Sequence, residues 1–432
     1  MSRDTIERLL DGTLPDPDGG PPLSVPTRHV EIADSLDGGE AELVANLGLG
    51  EHLAVVSDEN TRAVLGERVL RALGGIAQVT DIRLPGRPHA DAETVETVRR
   101  ESKSCDALIA VGAGTINDLC KYSAAQDGKP YAVFATAPSM NGYTSVNASI
   151  TIDGHKKTLP ATSARGVFKD LTVLSQAPPR MIRSGLGDSV CRPTAQADWL
   201  LAHLLLDRPY REAPFSLFAE DERELFAQPE ALMTGDLAAM RRLARTLTLS
   251  GFGMTICGGS FPASQGEHLI GHYVEMLAPP GWPEAFHGEQ IGVTTLTMAR
   301  LQERLLAAGP PRLKPGAPGE ASIKAHFGPE LGAACWAEFE GKKLDAGQAE
   351  ALNAKLAGRW DEIRERLRSV TLPSAKLEAV LKAVGAPTTP EELGWPRAFY
   401  SDAVRHAREI RDRYTFLDLA ADAGELDNAD VF

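Results

Sequence analysis

Four residues at wide spacing in this sequence have the chemistry to build a divalent-metal site. Asp188 follows a Gly-Leu-Gly and opens a helix-like run within IRSGLGDSVCRPTAQAD (182–198). His268 and His272 stand four apart in GEHLIGHYVEM (266–276), and His287, in FHGEQIGV (286–293), follows nineteen residues after His268. A carboxylate with two imidazoles is a common ligand set for a catalytic ion that keeps positions open for substrate. The i, i+4 spacing puts His268 and His272 on one helical face, in a run too apolar to be a solvated stripe. His272 could equally orient a ligand or meet the substrate. Glu267 points elsewhere on that helix and reads as structural. His155 and His203 have no partner pattern and read as core or surface residues. Cys191 is near Asp188 in sequence, but one neighbouring thiol does not make a nucleophile.

The elements that must position these residues change character at Asp188. From His29 onward, short apolar strands alternate with helical spacing. The strands are His52–Ser57 ending in Asp58, Val79–Leu84, Ala107–Val111 and Tyr131–Ala135, with helices over 61–73, 92–101 and 115–126. That alternation implies a parallel sheet covered on both faces. Ala148–Ile152 and His155–Leu159 flank Asp153-Gly154, a two-residue hairpin turn, and Leu171–Leu174 is the last strand candidate. Beyond Asp188 the pattern is helical: 194–206, 238–251, 264–277, 289–306, 346–370, 375–384 and 401–415, with a Pro/Gly-rich break at 306–320. The expected fold is α/β plus all-α. An irregular N-terminal arm (1–28), with a short amphipathic helix around Arg3–Leu10, precedes a Rossmann-like dinucleotide-binding domain (29–185). A helical metal and substrate domain (186–432) follows, its acidic tail expected to fray.

Three loops in the first half could hold a nucleotide. In VGAGTIND (111–118), between a buried strand and a helix, Gly112 and Gly114 let backbone approach an anion, and the helix start offers N–H groups to a pyrophosphate. The spacing is not GxGxxG, so a plain strand-to-helix turn remains the alternative. Asp58, at the carboxyl end of a strand, could accept from a ribose hydroxyl, which would disfavour the 2′-phosphate of NADP, or could cap the next helix. FATAPSMNGYTS (134–145) is rich in hydroxyls and follows the fourth strand, where a ligand loop or a polar turn would both fit.

The chain has 432 residues and a formal charge of −14, enough for two cores and unsuited to nucleic acid or an anionic membrane. Five scattered cysteines without a CxxC pair favour a reducing cytosol over disulfides or structural zinc. The sequence shows no basic-then-apolar leader and no apolar run near twenty residues, so a cytoplasmic, soluble protein is expected.

With these pieces in order, the chain resembles the sn-glycerol-1-phosphate dehydrogenases of the AraM type. These belong to the superfamily of iron-dependent alcohol dehydrogenases, glycerol dehydrogenases and dehydroquinate synthases. GAGTINDLCKY (112–122), ATAPSMNGYTS (135–145), DGHKKTLPATSARGVFKDL (153–171), APPRMIRSGLGDSVCRPTAQADWLLAHLL (177–205), GEHLIGHYVEM and HGEQIGV carry the match. The resemblance implies metal ligation by Asp188, His268 and His287, and dinucleotide binding by Asp58, Gly112, Gly114, Thr115, Asp118, Thr136 and Ser139. It places His272 near substrate and nicotinamide. Asn141 stands where relatives usually have Asp, and Arg192 where many have Lys. Both departures bear on the substrate pocket.

The expected reaction is reversible, NAD(P)H-dependent reduction of dihydroxyacetone phosphate to sn-glycerol 1-phosphate. A divalent ion, Zn²⁺ or Ni²⁺ ahead of Fe²⁺, would stabilise alkoxide charge. Lys121, Arg165 and Arg192 are candidates to pair the substrate phosphate, with surface salt bridging as their alternative. Another polyol or polyol-phosphate dehydrogenase is one alternative function; a carbon–oxygen lyase of the dehydroquinate synthase kind is a second. A metal- or NAD-binding protein without catalysis is a third, against which the intact Asp/His/His set argues. The expected partners are the small phosphorylated substrate and a second copy of the chain in a homodimer, with neither nucleic acid nor membrane.

Overall fold

The computed structural model describes residues 4–152, 155–279 and 281–426. The chain divides into two compact units, Met1–Ser189 with Arg211–Ser260, and Val190–Tyr210 with Phe261–Phe432. Residues 211–260, which the sequence places with the helical domain, are part of the first unit. The helices around the expected site residues are α1 (Thr5–Leu10), α2 (Gly114–Asp127), α3 (Pro179–Ser189), α4 (Arg192–Leu206), α5 (Leu237–Ile256), α6 (Gly266–Leu277), α7 (His287–Ala307), α8 (Ala346–Arg368) and α9 (Phe416–Ala423). Among the described residues, no helix is long and apolar enough to cross a membrane.

The first unit is built on eight strands: β1 (His29–Ala33), β2 (His52–Asp58), β3 (Gln78–Leu84), β4 (Ala107–Gly112), β5 (Tyr131–Ala135), β6 (Asn147–Ile152), β7 (His155–Pro160) and β8 (Gly166–Asp170). Six form one parallel sheet in the order β1-β8-β5-β4-β2-β3. β4 and β5 are buried at every residue, as central strands covered on both faces must be. β3 and β4 lie on opposite sides of β2, so the strand order reverses between β2 and β4. Ligands of open α/β sheets bind beyond the carboxyl ends of the strands at such a switch. Asp58 ends one of these strands and Gly112 the other.

The hairpin strands β6 and β7 pair antiparallel as expected, and their turn at Asp153-Gly154 lies outside the described residues, as do 427–432 of the acidic tail. The strand expected at Leu171–Leu174 is instead a short helix, and the strand is β8, just before it. The Asp170 carboxylate accepts from Val173 N at 3.2 Å and so caps a helix where the apolar run alone looked extended. The helix expected over 61–73 begins at Glu59 and passes through a π-helical turn at Arg62–Gly66. The N-terminal stretch is irregular apart from α1 and one bridge between Leu14 and Leu23. Ile6, Leu9 and Leu23 bury against Leu249 and Phe252 of α5, which fixes this stretch within the first unit.

Among its described residues, the second unit has helices and no strand. Leu201 (α4), Ile270 (α6), Leu301 (α7), Leu356 (α8) and Leu417 (α9) share one apolar core at or near zero exposure. The helix expected over 401–415 is shorter, an α-helix at Arg397–His406 followed by a 3₁₀ turn to Ile410.

Candidate active site

In the first unit, two of the residues expected to bind the nucleotide, Asp58 and Gly112, end the strands on either side of the switch between β2 and β4. Asp58 does cap the following helix: its Oδ1 accepts from Thr61 N at 2.8 Å. Gly112 ends β4, and its carbonyl accepts from Thr136 N at 3.2 Å, joining the turn after β5 to the turn after β4. Gly114 and Thr115 open α2, whose first turn has no side-chain cap and so keeps its N–H groups available to an anion. Asp118 turns to the hairpin instead. Its Oδ2 accepts from Ser149 N at 3.0 Å, and its Oδ1 from Asn117 Nδ2 at 2.9 Å. Ser139 is half-buried in the loop after β5, and its carbonyl accepts from the Ser184 hydroxyl of α3 at 3.3 Å.

That loop, 136–146, sets the surroundings of Asp188. Asp188 sits in the last turn of α3, buried, and its Oδ2 accepts from Asn141 N at 2.9 Å. The Asn141 amide donates to Ser250 Oγ of α5 at 3.2 Å. The Gly-Leu-Gly before Asp188 has a packing reason, since a Cβ on Gly185 would stand 1.6 Å from the Pro138 carbonyl. Lys121 is fully buried beneath the loop. Its ammonium donates to the Gly142 carbonyl, to Ser145 Oγ at 3.2 Å and to the Asn147 carbonyl at 3.0 Å. Burial pushes it down to about 8, and Asp118, 3.9 Å away, pulls the other way. The backbone of Arg165 is fixed by Tyr131, to whose carbonyl its N–H donates at 2.8 Å.

In the second unit, His268 and His287 face each other with ring centroids 5.1 Å apart, and His272 is 6.0 Å from His268. His268 is buried, and its Nδ1 meets Glu267 Oε1 at 2.9 Å. That contact occupies Nδ1 and leaves Nε2 as the other ring nitrogen, the arrangement a carboxylate sets behind a metal-binding imidazole. Glu267 is therefore not a structural bystander. Its Oε1 also accepts from Gln265 N at 2.8 Å, a bend at the helix start that spacing alone cannot show. Burial pushes His272 down to about 4, against the pull of Glu275 3.3 Å from its Nδ1, so the ring is neutral at ordinary pH. His287 is the first residue of α7, where the Glu289 carboxylate accepts from Phe286 N at 2.8 Å. Cys191 joins Glu267 and His268 in a buried group whose ligand atoms all lie within 4.8 Å of one another. Arg192 donates to Gln196 Oε1 at 2.8 Å along α4. Asp198 and Arg413, which motif reasoning passed over, also reach the start of the histidine helix. Their only signal was a charge inside an apolar helical run or next to one.

Within the second unit the donors suit a divalent ion: two imidazoles in contact range, one of them oriented by a buried carboxylate. The profile of iron-containing alcohol dehydrogenases matches residues 31–178. A Bacillus velezensis glycerol-1-phosphate dehydrogenase, NAD(P)+, is 32% identical over 377 residues, 85% of this chain and 84% of the relative. The Geobacillus stearothermophilus enzyme of the same name is 31% identical over 85% of this chain and 86% of its own. Among solved structures, a probable glycerol dehydrogenase from Sinorhizobium meliloti superposes with a TM-score of 0.60 at 18% identity, covering 93% of this chain and 97% of the other, a likeness of fold. The chain belongs to the glycerol-1-phosphate dehydrogenase family.

Proposed function

We propose that this protein reduces dihydroxyacetone phosphate to sn-glycerol 1-phosphate, reversibly, with NADH or NADPH, using a divalent ion held by Asp188, His268 and His287. The geometric observation that carries this proposal is the facing pair His268 and His287, with His268 oriented by Glu267. Membership of the family supplies the substrate, and the relatives named above favour it over an unphosphorylated polyol or a lyase reaction. When bound, Zn²⁺ or Ni²⁺ supplies Lewis-acid stabilisation of the alkoxide charge at C2 while the nicotinamide supplies or takes the hydride.

The residues do the rest. Glu267 holds the His268 ring so that Nε2 is its ligand atom, and Asn141 N–H holds one oxygen of Asp188. His272 stays neutral, so a substrate hydroxyl can share a proton with its ring. Asp58, Gly112, Gly114, Thr115, Thr136 and Ser139 form the cofactor edge at the strand switch, with Asp118 bracing the hairpin beside it. Arg165, Arg192 and Asn141 are assigned to the substrate end. All three donors of Lys121 are on protein oxygens, so it fixes the loop beside the substrate. The five free cysteines fit a reducing compartment, and a cytoplasmic homodimer belongs to the same proposal.

The test follows NADH absorbance with protein reconstituted with Zn²⁺ or Ni²⁺ and supplied with dihydroxyacetone phosphate, with dihydroxyacetone and an Asp188→Asn variant alongside. Oxidation that needs both the phosphate and Asp188 is the expected result. Equal turnover of dihydroxyacetone would move the substrate to an unphosphorylated polyol. No oxidation of NADH with either would overturn the dehydrogenase assignment.

A further inference from the structure

Asp198 sits in the middle of α4 and is fully buried. Its Oδ2 accepts from Gly266 N at 2.9 Å; its Oδ1 accepts from Phe416 N at 2.9 Å and from Gln302 Nε2 at 3.3 Å. Gly266 is the first residue of α6, which carries His268 and His272. Phe416 is the first residue of α9, and Gln302 lies on α7, which begins with His287. One carboxylate therefore ties together the helix of one proposed ligand, the helix of the other, and the C-terminal helix.

Burial and the nearby Glu267 push this carboxyl up, while the three donors pull it down. A buried carboxylate is costly unless something compensates it. Here two helix starts do so, each contributing roughly half a positive charge, and α6 has no side-chain cap of its own at Gln265. The segment before α9 grips the same turn. Arg413 donates to the Ser264 carbonyl, and its guanidinium lies 4.8 Å from the centre of the Phe261 ring. Thr415 caps α9, accepting from Leu417 N at 3.2 Å, and Asp418 Oδ2 accepts from Thr415 N at 2.8 Å. Arg413 thus holds the turn before the histidine helix directly, and Phe416 reaches the start of that helix through Asp198.

We infer that Asp198 is a positioning residue for the metal-binding histidines, and that the C-terminal helix is its second anchor and so sets metal affinity from a distance. This rests on the proposal that His268 and His287 hold the ion. The Asp198 oxygens are taken by Gly266 N, Phe416 N and Gln302 Nε2. Asp198 acts by fixing the start of α6, and an amide of the same shape has one acceptor oxygen where two are used.

The experiment measures Zn²⁺ affinity of the full-length protein by competition with a chromophoric chelator, together with kcat, KM for NADH and thermal melting. It is run for wild type, His268→Ala, Asp198→Asn and Thr415→Ala. Asp198→Asn is expected to weaken Zn²⁺ binding about 10- to 100-fold, the range seen when groups behind a ligand are removed. kcat should fall, with KM for NADH within about twofold. Thr415→Ala, which removes the hydroxyl bonded to Leu417 N and Asp418, should weaken Zn²⁺ binding in the same direction by less. A folded Asp198→Asn with a lower melting temperature but wild-type Zn²⁺ affinity would overturn the inference and leave Asp198 a packing residue. If that variant does not fold, wild-type affinity in Thr415→Ala would overturn it equally. His268→Ala separates the two levels: if it binds Zn²⁺ as wild type does, the metal assignment itself fails and this inference with it.

Discussion

At the scale of single residues, side-chain type announces chemistry, but aim decides it. His268, His272 and His287 stand out by residue type and spacing, the resemblance selects His268 and His287 as ligands, and the structure brings those two rings into contact range. Glu267 was read as structural because helical spacing turns it away from His268, yet its carboxylate lies 2.9 Å from His268 Nδ1. Lys121 is a candidate for the substrate phosphate by its charge alone; its burial under three oxygens cannot be seen from its neighbours in sequence. Glu267→Gln keeps the shape and removes the charge behind the ring. It is expected to lower Zn²⁺ affinity or kcat about 10- to 100-fold, with melting of the metal-free protein little changed, as read by chelator competition and calorimetry.

At the scale of elements, α5 is the helix whose place the sequence obscured. Its apolar periodicity is plain, but nothing in it says that Thr248, Ser250 and Gly251 will pack on the loop after β5. The Thr144 hydroxyl donates to the Thr248 carbonyl at 2.7 Å. A Cβ on Gly251 would stand 2.1 Å from Thr144 Oγ1 and 2.4 Å from the Asn141 carbonyl. Gly251→Ala is therefore expected to destabilise the fold by roughly 1–3 kcal/mol, as overpacking does. It should also reduce activity, because Asn141 holds Asp188; melting and the NADH assay check the two effects.

Lys169 of β8 makes a second prediction at this scale. It is buried, donating to Thr248 Oγ1 at 2.7 Å and to the Ala244 carbonyl at 3.1 Å, and burial pushes it from the ordinary 10.5 down to about 7. Below about 7 the folded and unfolded chains both hold the proton, and the burial penalty is fully felt. Between about 7 and 10.5 only the unfolded chain holds it, so stability rises with pH across that window. The total is a few kcal/mol, on the order of 5. In denaturant unfolding from pH 7 to 10, Lys169→Met should lose this share of the rise; an unchanged slope would place the ammonium in a wetter site.

At the scale of the whole molecule, a metal that binds only the folded chain must stabilise it by mass action. Stripping it with a chelator should lower the melting temperature, and Zn²⁺ or Ni²⁺ at a hundredfold excess over its dissociation constant should restore about 2.7 kcal/mol. His268→Ala should melt alike with and without added metal. Calorimetry with and without chelator reads both.

The alternation of buried strands and helices, the helical run after Asp188 and the residue types able to hold a metal were determined by the sequence alone, because side-chain periodicity and turn chemistry act between near neighbours. The turn to helix at Asp170 is also local, but its signal is one capping carboxylate inside an apolar run, which periodicity outweighs. Only the tertiary structure decided that residues 211–260 return to the first unit, that Lys121 and Lys169 are interior, and that Asp198 joins three helices. Those outcomes depend on contacts between residues tens to hundreds of positions apart, such as Asp198 with Phe416, and no local pattern records which distant backbone N–H a buried carboxylate will meet.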